Sequence, residues 1–396
     1  MSVSEWREVT LGDVCDSVSN THPFEKAKLI FLNTSDVYDG SILHNNYSPV
    51  AEMPGQAKKS IKKGDILYSE IRPKNKRYAM VNFDASDYVV STKFMVIRSN
   101  GLIVNKFLYL YLTSNEVLET LQQVAEARSG TFPQITFSQV AELKLNLPPI
   151  PEQKAIAATL SALDDMIELN NQINKNLEEM AQAIFKSWFV DFEPFKDGEF
   201  EESELGLIPK GWRVGVLGDI IDIFDSKRVP LSNRQRSVME KKYPYYGAAT
   251  LMDYVDNYIF DGVYVLLGED GTVMDEKGYP ILQYVWGKFW VNNHAHVLKG
   301  KGVFSDEYLY IFLKNTNVAS IVTGAVQLKI NQNNLTGLKI MIPPEDVVKQ
   351  YNDVVKDIFA CFRSNADEIK ILISLRDTLL PKLISGEIRV PVEEVV

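Results

Sequence analysis

His294 and His296 stand two residues apart, a spacing that on a β-strand turns both imidazoles to one side, as two zinc ligands would be. The chain holds only 4 histidines and no carboxylate cluster lies near this pair in sequence, so no metal site is expected. Gly268-Glu269-Asp270-Gly271 reads as a turn between strands whose carboxylates lack an obvious partner. Two other loops, Arg128-Ser129-Gly130-Thr131 and Thr323-Gly324-Ala325-Val326-Gln327-Leu328-Lys329, precede the last strand of each half. Small residues there let backbone N–H groups approach a phosphate closely, and Gln and Lys side chains match base edges in a major groove. The sequence has no G-x-x-x-x-G-K-[ST], H-E-x-x-H or G-x-S-x-G. It also lacks the N-P-P-[FY] or D-P-P-Y segment that holds a target amino group in amino-methyltransferases, and a glycine-rich cofactor loop after a strand. No catalytic residue, metal or cofactor is therefore expected on this chain.

Basic residues form a second pattern. Lys58, Lys59, Lys62, Lys63, Arg72, Lys74, Lys76 and Arg77 stand against Asp65 and Glu70, a local charge of +6. Lys227, Arg228, Arg234, Arg236, Lys241 and Lys242 stand against Glu240, a local charge of +5. One such cluster in each half fits the electrostatic footprint of a duplex-binding surface, although a lone cluster fits a solvated loop equally well. The second cluster runs into KKYPYYGAATLMDYVDNYIF (241–260), whose tyrosines suit either phosphate and base contacts or the core of a hairpin.

The elements that must position these residues are written twice. Trp6-Arg7 with Leu11-Gly12-Asp13 returns as Trp212-Arg213 with Leu217-Gly218-Asp219. FLYLYL (107–112) returns as YLYIFL (308–313). Leu143-Lys144-Leu145 with Pro148-Pro149 returns as Leu338-Lys339-Ile340 with Pro343-Pro344. The blocks keep their order, so the chain is an internal repeat. Runs such as Tyr88–Ile97, Val263–Leu267 and Trp290–Leu298 read as strands, and each Pro-Pro step ends the last strand and opens a helix. The fold class is thus α/β (α+β), with two globular parts each followed by a long helix.

After residue 152 the apolar positions recur at threes and fours: Ile156, Leu160, Leu163, Ile167, Leu177, Ile184 and Trp188, with Asn170 on the same seam. The copy reads Val355, Ile358, Phe362, Asn365, Leu372, Leu379 and Leu383. Asn170 and Asn365 are equivalent, so each seam carries an amide, which lowers stability and fixes register. About 35–38 residues at ~1.5 Å each make a rod of roughly 55 Å, too long for one small domain. The two helices are expected to pair as a coiled coil, while packing of each helix on its own domain remains the alternative.

Composition bounds the rest. The 396 residues are 45% hydrophobic and 24% charged, ordinary for a globular protein. Cys15 and Cys361 are far apart, which argues against a disulfide framework. The N-terminal residues lack the apolar core of a signal peptide, and no apolar run reaches the ~20 residues that span a bilayer, so a cytoplasmic location is expected. Residues 1–147 carry 16 Lys+Arg and 16 Asp+Glu, and residues 212–342 carry 14 and 13. Residues 148–211 carry 5 and 13, so most of the net charge of −10 lies on the first helix and the linker after it. The expected boundaries are a first globular part at 1–147, a helix at 148–192, a linker at 193–211, a second globular part at 212–342, a helix at 343–388 and a fraying tail at 389–396.

At this point the residues resemble a family. LPPIPEQKAIAATLSALDDMIELNNQINKNLEEMAQAIFKSWFVDFEPF (147–195), ELGLIPKGWRVGVLGD (204–219) and LRDTLLPKLISGEI (375–388) are similar to segments of the specificity (S) subunit of type I restriction–modification enzymes. The stretch SKRVPLSNRQRSVMEKKYPYYGAATLMDYVDNYIFDGVYVLLGEDG (226–271) resembles one type of target-recognition domain of that family. The resemblance implies two recognition domains, each reading half of a split double-stranded DNA target, held apart by helices packed antiparallel. It implies that the helices dock two methyltransferase subunits using S-adenosylmethionine, which recruit motor–nuclease subunits using ATP with Mg. It implies a nucleoid-associated location when on DNA and no catalysis by this chain. Two other readings are a self-contained DNA methyltransferase or nuclease, which the missing motifs oppose, and a coiled-coil scaffold, which the basic clusters oppose. Phosphate contacts are expected among Arg72, Lys74, Lys76, Arg77, Lys227, Arg228, Arg234, Arg236 and Lys329, and base readers among Arg128, Arg236, Tyr245, Tyr246 and Gln327.

Overall fold

The computed structural model describes residues 6–127, 133–324 and 326–391. The chain divides into two compact units, Met1–Glu168 with Lys370–Val396, and Leu169–Ile369. Each unit therefore takes in one globular part and a segment of both long helices.

In the first unit, Arg7–Thr10 pairs antiparallel with Lys144–Leu147, Arg7 opposite Leu147. One four-stranded antiparallel sheet runs in the order Cys15–Val18, Phe94–Ser99, Ile66–Ser69, Tyr78–Met80. The other runs Tyr47–Pro49, Lys28–Leu32, Tyr88–Ser91, Ala57–Ser60, and its central pair is parallel. The second unit repeats this plan. Arg213–Val216 pairs with Lys339–Ile342, Arg213 opposite Ile342. An antiparallel sheet runs Ile221–Ile223, Ala295–Gly300, Tyr264–Gly268, Leu282–Val285. A second sheet runs Leu251–Val255, Tyr243–Tyr246, Lys288–Val291, Phe260–Asp261, again with a parallel central pair. The runs Tyr88–Ile97 and Trp290–Leu298, expected as single strands, are each two strands broken by a turn. In each case the second strand crosses into the other sheet.

The repeated blocks have identical structural duties. The Leu-Gly-Asp steps form short 3-10 turns, with Leu11 and Leu217 fully buried. Leu11 N–H donates to Leu143 O at 2.9 Å and Leu217 N–H to Leu338 O at 2.8 Å. The two glycines sit in matching close approaches: a Cβ at Gly12 would lie 3.2 Å from the Cβ of Ala141, and one at Gly218 would lie 3.2 Å from that of Thr336, each tighter than an ordinary contact. The two aromatic blocks are helices, Asn105–Leu112 and Asp306–Lys314, whose apolar faces are buried in the two cores.

The long helices run Ile150–Phe189 and Glu345–Ser385. In the first unit Ile156 and Leu160 share a core with Leu383 and Ile384, and Arg376 donates to Asp164 at 3.1 Å. In the second unit Trp188 and Phe189 meet Tyr351, and Asn170 donates to Glu368 at 3.1 Å. Rising numbers on one helix meet falling numbers on the other, so the pairing is antiparallel. The apolar stripe is wider than the expected seam. Ile156, Leu160, Val355 and Leu383 of the expected seam are buried, but in the second unit Phe185, Phe189 and Phe359 are buried too, while Ile184, Trp188 and Ile358 pack partly exposed beside them. Leu163, Ile167, Leu177, Phe362 and Leu379 are likewise partly buried, whereas Val355 and Leu372 are buried. The amides do not meet as equivalents. Asn174 is the buried one; it donates to Phe362 O and accepts from Asn365, both at 3.1 Å.

The expected linker and the described start of the expected tail, residues 389–391, both make defined contacts. Residues 193–211 contain a hairpin, Phe200–Ser203 with Gly206–Pro209, and Trp212 beyond it is packed among Phe189, Phe192 and Phe195. After the second helix, Arg389 forms a fork on Glu152 at 2.5 and 2.7 Å and lies over the Trp6 ring. None of the described helices is long and apolar enough to cross a membrane.

Candidate nucleic-acid interface

In the first unit the candidates lie on the connection between the strands Ile66–Ser69 and Tyr78–Met80. Its backbone is tied on both sides. Ile135 N–H donates to Glu70 O at 2.9 Å, Arg72 N–H to Pro133 O at 3.2 Å, and Lys74 N–H to the buried Gln122 side chain at 3.2 Å. Arg72 and Lys74 are exposed, and neither side chain has a hydrogen bond or ion pair among the described residues. Lys76 pairs with Asp39 at 3.1 Å. Arg77 donates to the carbonyls of Ser35 and Val37 at 3.0 and 3.1 Å, so its guanidinium braces a neighbouring loop. Within the wider cluster, Lys59 turns inward to Phe94 O at 2.7 Å, and burial pulls its pKa down. Arg128 lies outside the described residues.

In the second unit the basic cluster divides. Arg228 has a side chain only 11% exposed and is tied to Glu269 at 2.7 Å, Ala295 O at 2.6 Å and Asp225 at 3.4 Å. Arg236 is buried, stacks 4.9 Å from the Tyr245 ring centre, and donates to Asp253, Leu231 O and Asn233. Tyr245 is buried and its hydroxyl accepts from Leu231 N–H at 3.0 Å. These three were expected to face DNA. The structure instead spends them on internal order, because each finds carboxylates, carbonyls or a ring within its own unit. Lys241 and the Tyr254 amide, with Arg236, hold the Asp253 carboxyl down at about 2. Tyr246 packs half-buried on Phe289, and burial beside Tyr254 pushes its phenol up to about 12. Lys227 lies over the Phe224 ring, and Lys329 pairs with Glu269 at 3.4 Å while remaining half exposed. Arg234 and Gln327 are exposed.

The Glu269 carboxylate thus has partners that local spacing did not reveal. Asp225, Glu269 and His296 bring ligand atoms within 4.8 Å of one another. Arg228 supplies positive charge there, and both His296 nitrogens already face acceptors, Asp225 at 2.5 Å and Ile330 O at 2.8 Å. His294 pairs separately with Asp270 at 2.5 Å, so the two histidines do not converge on one point.

Comparison with known proteins closes the question of family. The description "Type I restriction modification DNA specificity domain" matches residues 3–179 and again residues 209–374. The chain is 33% identical to the type I restriction enzyme HindI specificity subunit of Haemophilus influenzae, covering 98% of this chain and 100% of that protein. It is 29% identical to the MjaIX specificity subunit of Methanocaldococcus jannaschii, over 74% of this chain and 71% of that one. A solved S subunit from M. genitalium shares the fold with a TM-score of 0.55 at 16% identity, covering 96% of each chain. Carrying the specificity domain twice over most of its length, in two units of identical strand order, this chain belongs to the type I restriction–modification DNA specificity family.

Proposed function

We propose that each globular part reads one half of a bipartite double-stranded DNA target, and that the paired helices fix the gap and dock two methyltransferase subunits. The observation that carries this reading is the duplication of both sheets, strand for strand, with different residues on the equivalent loops. Equal frames with unequal loops make two readers of similar shape and different sequence preference. The exposed cations Arg72, Lys74, Lys227, Arg234 and Lys329 supply contacts to the duplex, and phosphate contacts position while base edges specify. S-adenosylmethionine, ATP and Mg belong to the partner subunits, and motor–nuclease subunits join through the assembled complex. The setting is the cytoplasm, on the nucleoid when DNA is bound.

Selection of the full chain, assembled with its methyltransferase subunits, against a library of random duplexes tests this reading. Two short motifs separated by a constant unspecified gap are expected. A single uninterrupted motif would count against two readers.

A further inference from the structure

We propose that Arg72 reads a base in the half-site bound by the first globular part, through the paired donors of its guanidinium on the O6 and N7 of a guanine; this rests on the DNA-reading role proposed above. The argument starts from backbone geometry. Arg72 has φ +43° and ψ +80°, in the left-handed region that side chains other than glycine rarely adopt. A proline follows it, which further narrows the conformations open to it.

The second unit shows what the fold needs at this place. There Gly271 has φ +84° and its N–H donates to Leu328 O at 3.0 Å, as Arg72 N–H donates to Pro133 O at 3.2 Å. Ile330 N–H donates to Glu269 O at 2.9 Å, as Ile135 N–H does to Glu70 O, also at 2.9 Å. The bridge between Asp270 and Lys329 matches that between Ile71 and Gln134. The two positions are therefore equivalent, and glycine is the unstrained solution to a backbone turn that both units make. The first unit places an arginine there instead.

Packing among the described residues does not explain the exchange. The Arg72 side chain is exposed and makes no hydrogen bond or ion pair among the described residues. Strain held by an over-determined backbone, with a charged group at its tip that has no partner among the described residues, marks a residue kept for what it touches. A phosphate contact does not need such placement, since a lysine on a flexible stem reaches a point charge from many positions. A two-pronged contact to a base edge does, because the planar fork must arrive in one orientation.

The test compares Arg72→Gly and Arg72→Lys with the wild-type chain in the random-duplex selection, in salt titrations of affinity and in thermal melting. Arg72→Gly removes the strain, so its melting temperature is expected to equal or exceed that of wild type. Its selected motif is expected to become degenerate at one base pair of one half-site, with a loss of about 5- to 150-fold for the preferred duplex and the other half-site unchanged. Arg72→Lys, which keeps the charge but not the fork, is expected to lose the same discrimination. A uniform loss on all duplexes, with the slope of log affinity against log salt falling by about 0.9, would make Arg72 a phosphate contact and overturn the proposal. An unchanged motif in both variants would overturn it as well. A wild-type chain that selects no half-site motif would instead refute the DNA-reading role itself.

Discussion

Replacing Arg228 by alanine separates a structural arginine from a DNA-contacting one. Its side chain is 11% exposed, and it sits against Asp225 and Glu269, themselves 11% and 15% exposed. Removing the guanidinium leaves two nearly buried carboxylates without their main counter-charge, and it frees the Ala295 carbonyl. Breaking a buried ion pair on one side costs about 3–5 kcal/mol. In a unit of about 200 residues each kcal/mol moves the midpoint by roughly 2–4 °C, so the transition of Leu169–Ile369 should fall by roughly 6–20 °C. Arg234→Ala is the control: Arg234 is exposed and unpaired among the described residues, so the midpoint should hold while the salt slope of DNA binding falls by about 0.9 if it meets a phosphate. Calorimetry and binding titrations between about 50 and 200 mM salt, on the same preparations, read both quantities. If Arg228→Ala melts like wild type and lowers the salt slope, the arginine faces DNA and the internal network around Glu269 is wrong.

Tyr351 is fully buried among Phe185, Phe189 and Tyr308, and its hydroxyl has no hydrogen-bond partner among the described residues. Tyr351→Phe should therefore hold or raise stability, by about 1–3 kcal/mol at most, read by denaturant titration. Burial acts to raise the Glu152 pKa, but hydrogen bonds from Arg389 and Trp6 win and hold it below its usual range. A carboxyl depressed in the folded state adds stability above its unfolded pKa and loses it as pH falls below that value. Glu152→Gln should accordingly flatten the acid side of the stability profile below about pH 4.5, measured by melting across pH. If the helices set the gap between half-sites, four residues inserted in both, after Glu168 and after Ile369, should lengthen the selected gap by one or two base pairs and leave both motifs unchanged. Four residues add about 6 Å and turn the helix by about 400°, against ~3.4 Å per base pair.

The repeat, the two globular parts and the paired helices were legible because they rest on periodicity and on blocks that recur at nearly constant offset. Leu-Gly-Asp and the Pro-Pro steps recur because each performs the same local task in both halves. The individual duties of charged residues were not legible. Arg228 and Glu269 are 41 residues apart and meet only when two strands of one sheet bring them together. Arg236 and Tyr245 looked like a DNA-facing pair because they are basic and aromatic neighbours, and the fold uses that same chemistry to order its own loop. The helix seam was read one residue out of phase at Phe185 and Phe359, because a helix that packs on both a partner helix and a domain carries a wider apolar stripe than a strict heptad. The match of Arg72 with Gly271 was hidden because the connecting loops differ in length and sequence, and only the hydrogen-bond pattern aligns them.

Exchanging residues 1–147 for the corresponding part of a family member with a different target, followed by random-duplex selection of the assembled complex, tests the two-reader claim most directly. One half-site should change to that of the donor while the other half-site and the gap stay as in wild type. A change in both half-sites, or in neither, would contradict independent reading by the two globular parts.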